Sequence, residues 1–325
     1  MRWDLQTYSA RTRRSQARRA LDGKEPVGRQ PPARSGRHPL PRIPSSFRDP
    51  MRRLLRPLVL PIAPMLCAGL AAGPVSGPAM AAGSLVLMDA PPAQTSWSGG
   101  LSTRSWPSAP GSRARSNDLL PAVEVLTPEG GFVSTDLGVG WNLVPWVADA
   151  DTARTWQAGA RLWPQFGRPS RVTPKGVDRL GSRVTTEAFA NVQATSWLML
   201  QSGFSWGSGR RHDGELLELG LTSGLPFGDE LIAVTLGATA ANGAHLRSSY
   251  GIGPGESRAS GLPAWRPRAG MMDWSVALSG EHKFSGHWSV SGQWLDARLV
   301  GDASRSPLTT SRTQQTFSAS LWYRF

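Results

Sequence analysis

The chain has 325 residues, a formal net charge of +13 and a sequence pI near 11.3, a balance that at face value points to a nucleic-acid or anionic-membrane partner. The charge is uneven: residues 1–50 carry twelve Arg or Lys against four acids, residues 51–82 add Arg52, Arg53 and Arg56 with no acid, and residues 83–325 hold 21 bases against 19 acids. The body of the chain is nearly neutral, so nucleic acid loses its support as a partner.

Residues 1–50 are rich in Arg, Pro and Ser with almost no apolar periodicity, a composition that cannot form a core. They precede a complete export signal, so Met51 reads as the true first residue, with a genuine basic arm as the alternative. From Met51 to Ala82 the chain has the three parts of a secretory signal peptide: a basic start, an apolar run near Leu58–Ala72, and small residues ending in Ala79-Met80-Ala81. A membrane anchor fits less well, because the run is short of the roughly 20 residues a spanning helix needs and Pro57, Pro61 and Pro64 interrupt it. Cys67, the only cysteine, falls in this segment behind Leu66, which does not fit a lipid-acceptor pattern. The exported part then has no disulfide. Residues 83–96 read as a flexible stretch.

Beyond residue 96 the repeated signal is period two, the mark of strands. Trp97–Trp106 and residues 118–127 alternate loosely, and Val133, Thr135, Leu137, Val139, Trp141 and Leu143 alternate with polar or small neighbours. Residues 155–163 and 197–207 are less regular, while Val184, Thr186, Ala188, Ala190 and Val192 alternate with Thr185, Glu187, Asn191 and Gln193. Further strands follow around Leu217–Leu221, Ile232–Ala238, Trp274–Leu278 and Trp288–Val290. The polar faces hold Ser, Thr, Gly, Asn, Gln and some acids, too polar for a dry interior. Several segments reach the roughly 9–11 residues that cross a bilayer at a tilt. A transmembrane barrel with lipid outside and a polar lumen accounts for both features.

Connections alternate in length. They are very short at Thr195-Ser196, intermediate at 208–214, short at 226–229, long at 241–271, short at 285–287 and long at 300–316. Short turns on one side and longer loops on the other are the habit of outer-membrane barrels. The two long segments, rich in Gly, Pro, Ser and Arg, read as exposed loops. Eleven segments are visible, whereas an up-and-down barrel with both termini on one side needs an even number. The parity is expected to break across 164–183, leaving an all-β, transmembrane antiparallel barrel of 10 or 12 strands over 97–325.

The chain ends on "FSASLWYRF", with Phe317, Ala319, Leu321, Tyr323 and Phe325 on one face. A terminus is usually frayed, so this one must be tied down by pairing with the first strand. Phe317, Leu321, Tyr323 and Phe325 also have the form of the signal read by the barrel-assembly machinery of Gram-negative outer membranes.

The segments 245–284 and 287–310, and the ending Leu321–Phe325, resemble the MipA/OmpV family of outer-membrane proteins. The likeness rests on Tyr250-Gly251-Ile252 followed by Pro254, on Ala259-Ser260-Gly261-Leu262-Pro263-Ala264, and on Leu299-Val300-Gly301-Asp302-Ala303 followed by Ser306-Pro307. Weaker similarity runs through 118–143 and 214–238, and an acidic loop common in relatives is here the basic stretch 107–118. The resemblance implies a scaffold linking a lytic transglycosylase to a peptidoglycan synthase.

No catalytic, cofactor or metal site is expected. Gly203-Phe204-Ser205-Trp206-Gly207 fits a nucleophile-elbow pattern, but it lies within a period-two strand rather than a strand-to-helix turn. His212, His245, His282 and His287 lack the spacing of a metal site, and no Ser-His pair is evident on the outer wall. "GIGPGES" at 251–257 is expected to precede no helix, which removes a phosphate cradle. Arg210, Arg211, Arg266 and Arg268 fall in outside loops and could contact lipopolysaccharide phosphates. The function expected is structural or scaffolding work in the envelope and its peptidoglycan, with a small porin-like channel as the alternative. Export predicts a mature chain that begins at Ala82 or Gly83; intact-mass measurement on the protein from outer membranes checks this, and a chain that retains Met51 would refute it.

Overall fold

The structure, a computed structural model, describes residues 85–86, 91–144, 155–195, 197–227 and 230–325. The basic segment 1–50, the export segment 51–82 and residues 83–84 and 87–90 of the stretch 83–96 lie outside the described residues. Twelve antiparallel strands form one closed barrel. They are β1 (Ser96–Pro107), β2 (Arg115–Leu126), β3 (Gly131–Ser134), β4 (Gly138–Val144), β5 (Trp156–Gln165), β6 (Arg183–Gln193), β7 (Leu198–Ser208), β8 (Gly214–Phe227), β9 (Glu230–Ala241), β10 (Gly270–Lys283), β11 (Trp288–Leu299) and β12 (Thr313–Arg324). Each strand pairs with its sequence neighbours, and β12 closes on β1 with Leu321 opposite Leu101 and Phe317 opposite Ser105.

Period two sorts the wall as the sequence implies. Phe317, Leu321 and Phe325 point outward, as do Val184, Val192, Leu217, Leu219 and Leu236. Ser102, Gln157, Glu187, Gln201, Thr239 and Ser320 point into the lumen and are buried. Outward aromatics gather near the two ends of the strands: Trp97, Trp141, Trp156, Trp197, Trp288 and Phe325 at the short-turn end, and Trp206, Trp274 and Phe317 toward the loop end. These are two interfacial girdles around an apolar band.

The missing strand is not where the sequence pointed. Residues 166–182 form a loop, with a short 3₁₀ turn at Ser170–Val172 and a bridge between Arg168 and Leu180. The parity is restored instead between Val133 and Leu143, where one apparent strand is a tight hairpin, β3 and β4. Ser134 Oγ accepts hydrogen bonds from the N–H groups of Asp136 (3.1 Å) and Leu137 (3.3 Å), and Gly138 takes the left-handed φ of 83° that the turn requires. The alternation passes through the turn without a break, which hides it.

The connections 241–271 and 300–316 also differ from the expected exposed loops. They contain α1 (Gly243–Tyr250), α2 (Pro254–Ser260) and α3 (Gly301–Arg305). Asn242 Oδ1 caps α1 by accepting from His245 N–H at 2.9 Å. A bulge between Met271 and Asp273 in β10 turns both Met272 and Asp273 inward, so Met272 joins Leu246, Tyr250, Leu299 and Ala303 in a buried cluster.

Closure places the backbones of β1 and β12 close together at Gly100. A Cβ there would lie 1.9 Å from the Leu321 carbonyl oxygen, so Gly100→Ala is expected to strain the seam by about 1–3 kcal/mol. Thermal unfolding followed by gel mobility of the unboiled barrel measures the loss; an unchanged midpoint would contradict the close approach.

Candidate functional site

Two places concentrate buried polar chemistry: the lumen and the cap over its loop end. In the lumen Arg161 of β5 donates to Glu187 of β6 at 2.8 Å, and both side chains are about 1% exposed. Ser205 donates to the same carboxylate at 3.4 Å, Arg161 also donates to the Leu137 carbonyl at 3.1 Å, and its guanidinium lies 4.7 Å from the Trp163 ring centre. Removing either partner of such a buried pair would leave an uncompensated charge. Ser205, the centre of the elbow-like motif, is thus a lumen residue inside β7, with no turn around it.

The described residues Leu85 and Val86 lie inside the wall. Val86 packs on Phe132 and Phe189, and its carbonyl accepts from Asn191 Nδ2 at 2.7 Å. Leu85 borders a lumen cavity lined by Gln201, Glu218, Thr239 and Ser275.

The cap is held by apolar packing and by arginines. Tyr250 is fully buried, and its carbonyl accepts from Ser306 Oγ at 2.6 Å, which joins α1 to the segment after α3. Burial, with Asp273 adding to it, holds the Tyr250 phenol above its ordinary range, so it stays protonated. Val177, Ile252 and Leu308 bring the 166–182 loop, the α1–α2 junction and the segment after α3 together. Arg168 donates to the Ser249 carbonyl.

The four arginines expected in outside loops do lie there, in two states. Arg210 is engaged by Glu256 (3.0 Å) and Asp178 (3.4 Å), and the Arg268 N–H donates to Asp302 Oδ2 at 2.9 Å while Asp302 Oδ1 accepts from Arg305 at 2.9 Å. Arg211 and Arg266 are exposed, and so is the guanidinium of Arg268, whose backbone N–H makes the bond to Asp302. The stretch 251–257 does lead into a helix, contrary to the sequence reading, but α2 offers no open cradle: the Gly253 N–H is taken by Glu256 Oε2 at 2.7 Å. At the other end of the barrel, Tyr323 stacks on His287 with ring centres 5.7 Å apart and meets Trp288 and Phe325 edge-on.

A Ser-His pair exists that the sequence did not reveal. Ser208 Oγ and His245 Nδ1 are 2.9 Å apart, with Ser208 fully buried and His245 5% exposed. It sits beneath the cap rather than on the outward wall, so it tethers α1 to β7. A strand end and a helix brought together from 37 residues apart in sequence give no local signal. Among the described residues no group of His, Cys, Asp and Glu is arranged to hold a metal.

The sequence profile of one family, described as "MltA-interacting protein MipA", matches residues 99–325. The chain belongs to the MipA family. A comparison with curated proteins gave no match. Among solved structures, this MipA-family chain is similar to an outer membrane channel from Pseudomonas putida F1, at 12% identity over 74% of this chain and 98% of that one, with a TM-score of 0.36. It is also similar to a FadL homologue of Pseudomonas aeruginosa (10% identity, 70% and 89% covered, TM-score 0.29) and to OccK8 (OprE) of the same organism (7%, 71% and 98%, TM-score 0.25). Likeness at these scores carries no argument about the lumen. Family and closed wall together make the chain an outer-membrane β-barrel.

Burial, with Arg183 adding to it, pushes the His245 imidazole down to about 4 from its ordinary 6.5. The folded cap therefore binds fewer protons than the open chain between these values, so its stability is complete above pH 6.5 and falls as pH drops toward 4. Glu256 adds a second, more acidic loss. Burial raises its carboxyl, but hydrogen bonds from the Gly253 and Asp178 N–H groups and from Arg210 outweigh that and hold it below 4.5. Its contribution is present above 4.5 and is lost as pH falls through the depressed value. Proteolysis of 242–269 in the folded barrel is expected to rise as pH falls below 6.5, and His245→Gln is expected to flatten the first part of that rise; an unchanged pH profile in the variant would refute the assignment.

Proposed function

We propose that the barrel is a structural component of the cell envelope that joins the outer membrane to murein-processing enzymes. The observation that carries this reading is the family match over 99–325, whose description names interaction with MltA. A lytic transglycosylase is then the first partner, and a peptidoglycan synthase the second. Both termini of the barrel lie at the short-turn end, which in an outer-membrane barrel faces the periplasm, where such partners work. A packed cap and a lumen crossed by Val86 and the Arg161–Glu187 pair support a scaffold over an open pore. Phe317, Leu321, Tyr323 and Phe325 serve as the barrel-assembly signal, since three of them project into lipid from the closing strand. Arg211, Arg266 and Arg268 are the exposed cap cations for lipopolysaccharide phosphates, Arg210 being held by Glu256 and Asp178.

A second reading, a small solute channel, is favoured by one feature, the polar cavity beside Leu85. Pull-down from solubilised envelopes is expected to recover a lytic transglycosylase or a murein synthase, and recovery of neither removes the scaffold. Planar-bilayer recordings are expected to show no conductance steps; reproducible steps would favour the channel.

A further inference from the structure

The outward wall carries charge where β11, β12 and β2 approach the loop end. In β11 Leu295, Ala297 and Leu299 are buried on the inner face, so Asp296 and Arg298 face out. In β12 Gln314 and Ser320 are buried inward, which leaves Gln315 and Phe317 outside. In β2 Ser116 and Ala122 are buried inward, and Arg115 is outside.

Register brings these side chains together. Asp296 lies opposite Gln315, and Arg298 lies opposite Thr313 of β12 and Trp274 of β10. Arg115 reaches across β1 to the same patch. Its Nη1 donates to the Gln315 carbonyl at 3.0 Å, and its Nε and Nη2 donate to Ser105 Oγ at 3.1 and 2.9 Å. Nη2 also donates to the Ser105 carbonyl at 3.0 Å, and the guanidinium lies 5.9 Å from the Phe317 ring centre. The cation is therefore fixed over β12. Arg298 rises from the wall one strand across and one two-residue step up from Gln315, about 8 Å away.

Two more arginines stand on the rim. The Arg113 N–H donates to Thr310 Oγ1 at 2.9 Å and its Nη2 to the Thr310 carbonyl at 3.3 Å, while Arg312 Nε donates to the Ser304 carbonyl at 3.2 Å. All four arginines are exposed. Hydroxyls and carbonyls hold three of them in place without neutralising them. Among the described residues none of the four is ion-paired with a carboxylate. Asp296 stands between Arg115 and Arg298, and its Oδ1 is shielded from solvent with no hydrogen-bond partner.

Height decides what this patch meets. Arg298 is level with Trp274 and Arg115 lies over Phe317, both in the loop-end girdle, the level of lipid headgroups. Cations there call for phosphate, which guanidinium groups grip through paired N–H donors. A carboxylate oxygen calls for a donor, which a plain phosphate does not carry. A phosphorylated sugar supplies both.

We propose that this part of the outer wall binds a phosphorylated glycolipid of the outer leaflet. Arg115 and Arg298 hold its phosphates, with Arg113 and Arg312 on the rim above, and a sugar hydroxyl or amide donates to Asp296. The acyl chains then lie along the row formed by Leu278, Trp294 and Phe317, which are neighbours in register. The site uses none of the cap cations and is independent of any murein partner.

The test uses the unmodified chain folded in phosphatidylethanolamine vesicles, with a trace of bis-phosphorylated lipid A that carries a photoreactive diazirine in one acyl chain. Adducts are expected to concentrate on Leu278, Trp294 and Phe317. Labelling just as strong on Leu217, Leu219 and Leu236, elsewhere on the outward wall, overturns the proposal. Arg115→Ala combined with Arg298→Ala is expected to cut the concentrated labelling about tenfold or more, with that of Leu217 and Leu219 unchanged. Labelling that survives both substitutions also overturns it. Cardiolipin with the same tail has two phosphates and only one hydroxyl, and is expected to label the row more weakly; equal labelling would overturn the part given to Asp296. A barrel that still shifts on boiling shows that the variant has folded.

Discussion

Hydrocarbon offers no hydrogen bonds, so each peptide group within the membrane must find its partner in the protein. A sheet meets that demand by closing on itself, and the rest of this structure follows. Closure makes the last strand the neighbour of the first, which is why the chain stays ordered to Phe325, whose N–H donates to the Trp97 carbonyl at 3.1 Å. It also fixes side-chain alternation, because one wall faces oil and the other a narrow polar interior. Above the short β3–β4 hairpin β2 and β5 run past their pairing with it, and Pro121 and Pro164 lie on those stretches.

Much of the barrel was legible because lipid outside and polar groups inside impose a period that survives in the sequence. Val184 to Val192 and Phe317 to Phe325 could be assigned to faces residue by residue. The hairpin was not legible, since Thr135, Asp136 and Leu137 carry the same alternation through a turn that only a glycine at Gly138 betrays. The cap helices were missed for another reason. With five to eight residues and several Gly, Pro and Ser, α1 to α3 are too short to show a 3.6-residue stripe, and tertiary packing around Tyr250 and Leu246 holds them in place.

The candidate sites were less legible than the wall. Loop arginines could be found from composition, but their state depends on partners far away in sequence. Asp178 and Glu256 reach Arg210 from different loops, and Asp302 reaches Arg268 across 34 residues. The same distance hid Ser208 and His245, and it hid Val86, whose place against Phe132 and Phe189 exists only once the cylinder has formed.

Alternation of faces sets a rule for what the wall can absorb. One extra residue within β8 or β12 would turn each later side chain of that strand from oil to water, while two would restore the faces and shift only the register. Length changes along these strands should therefore be tolerated by parity rather than by size. The loop end obeys a different logic: where α1 and α3 share a core, an added residue disturbs packing whatever its number.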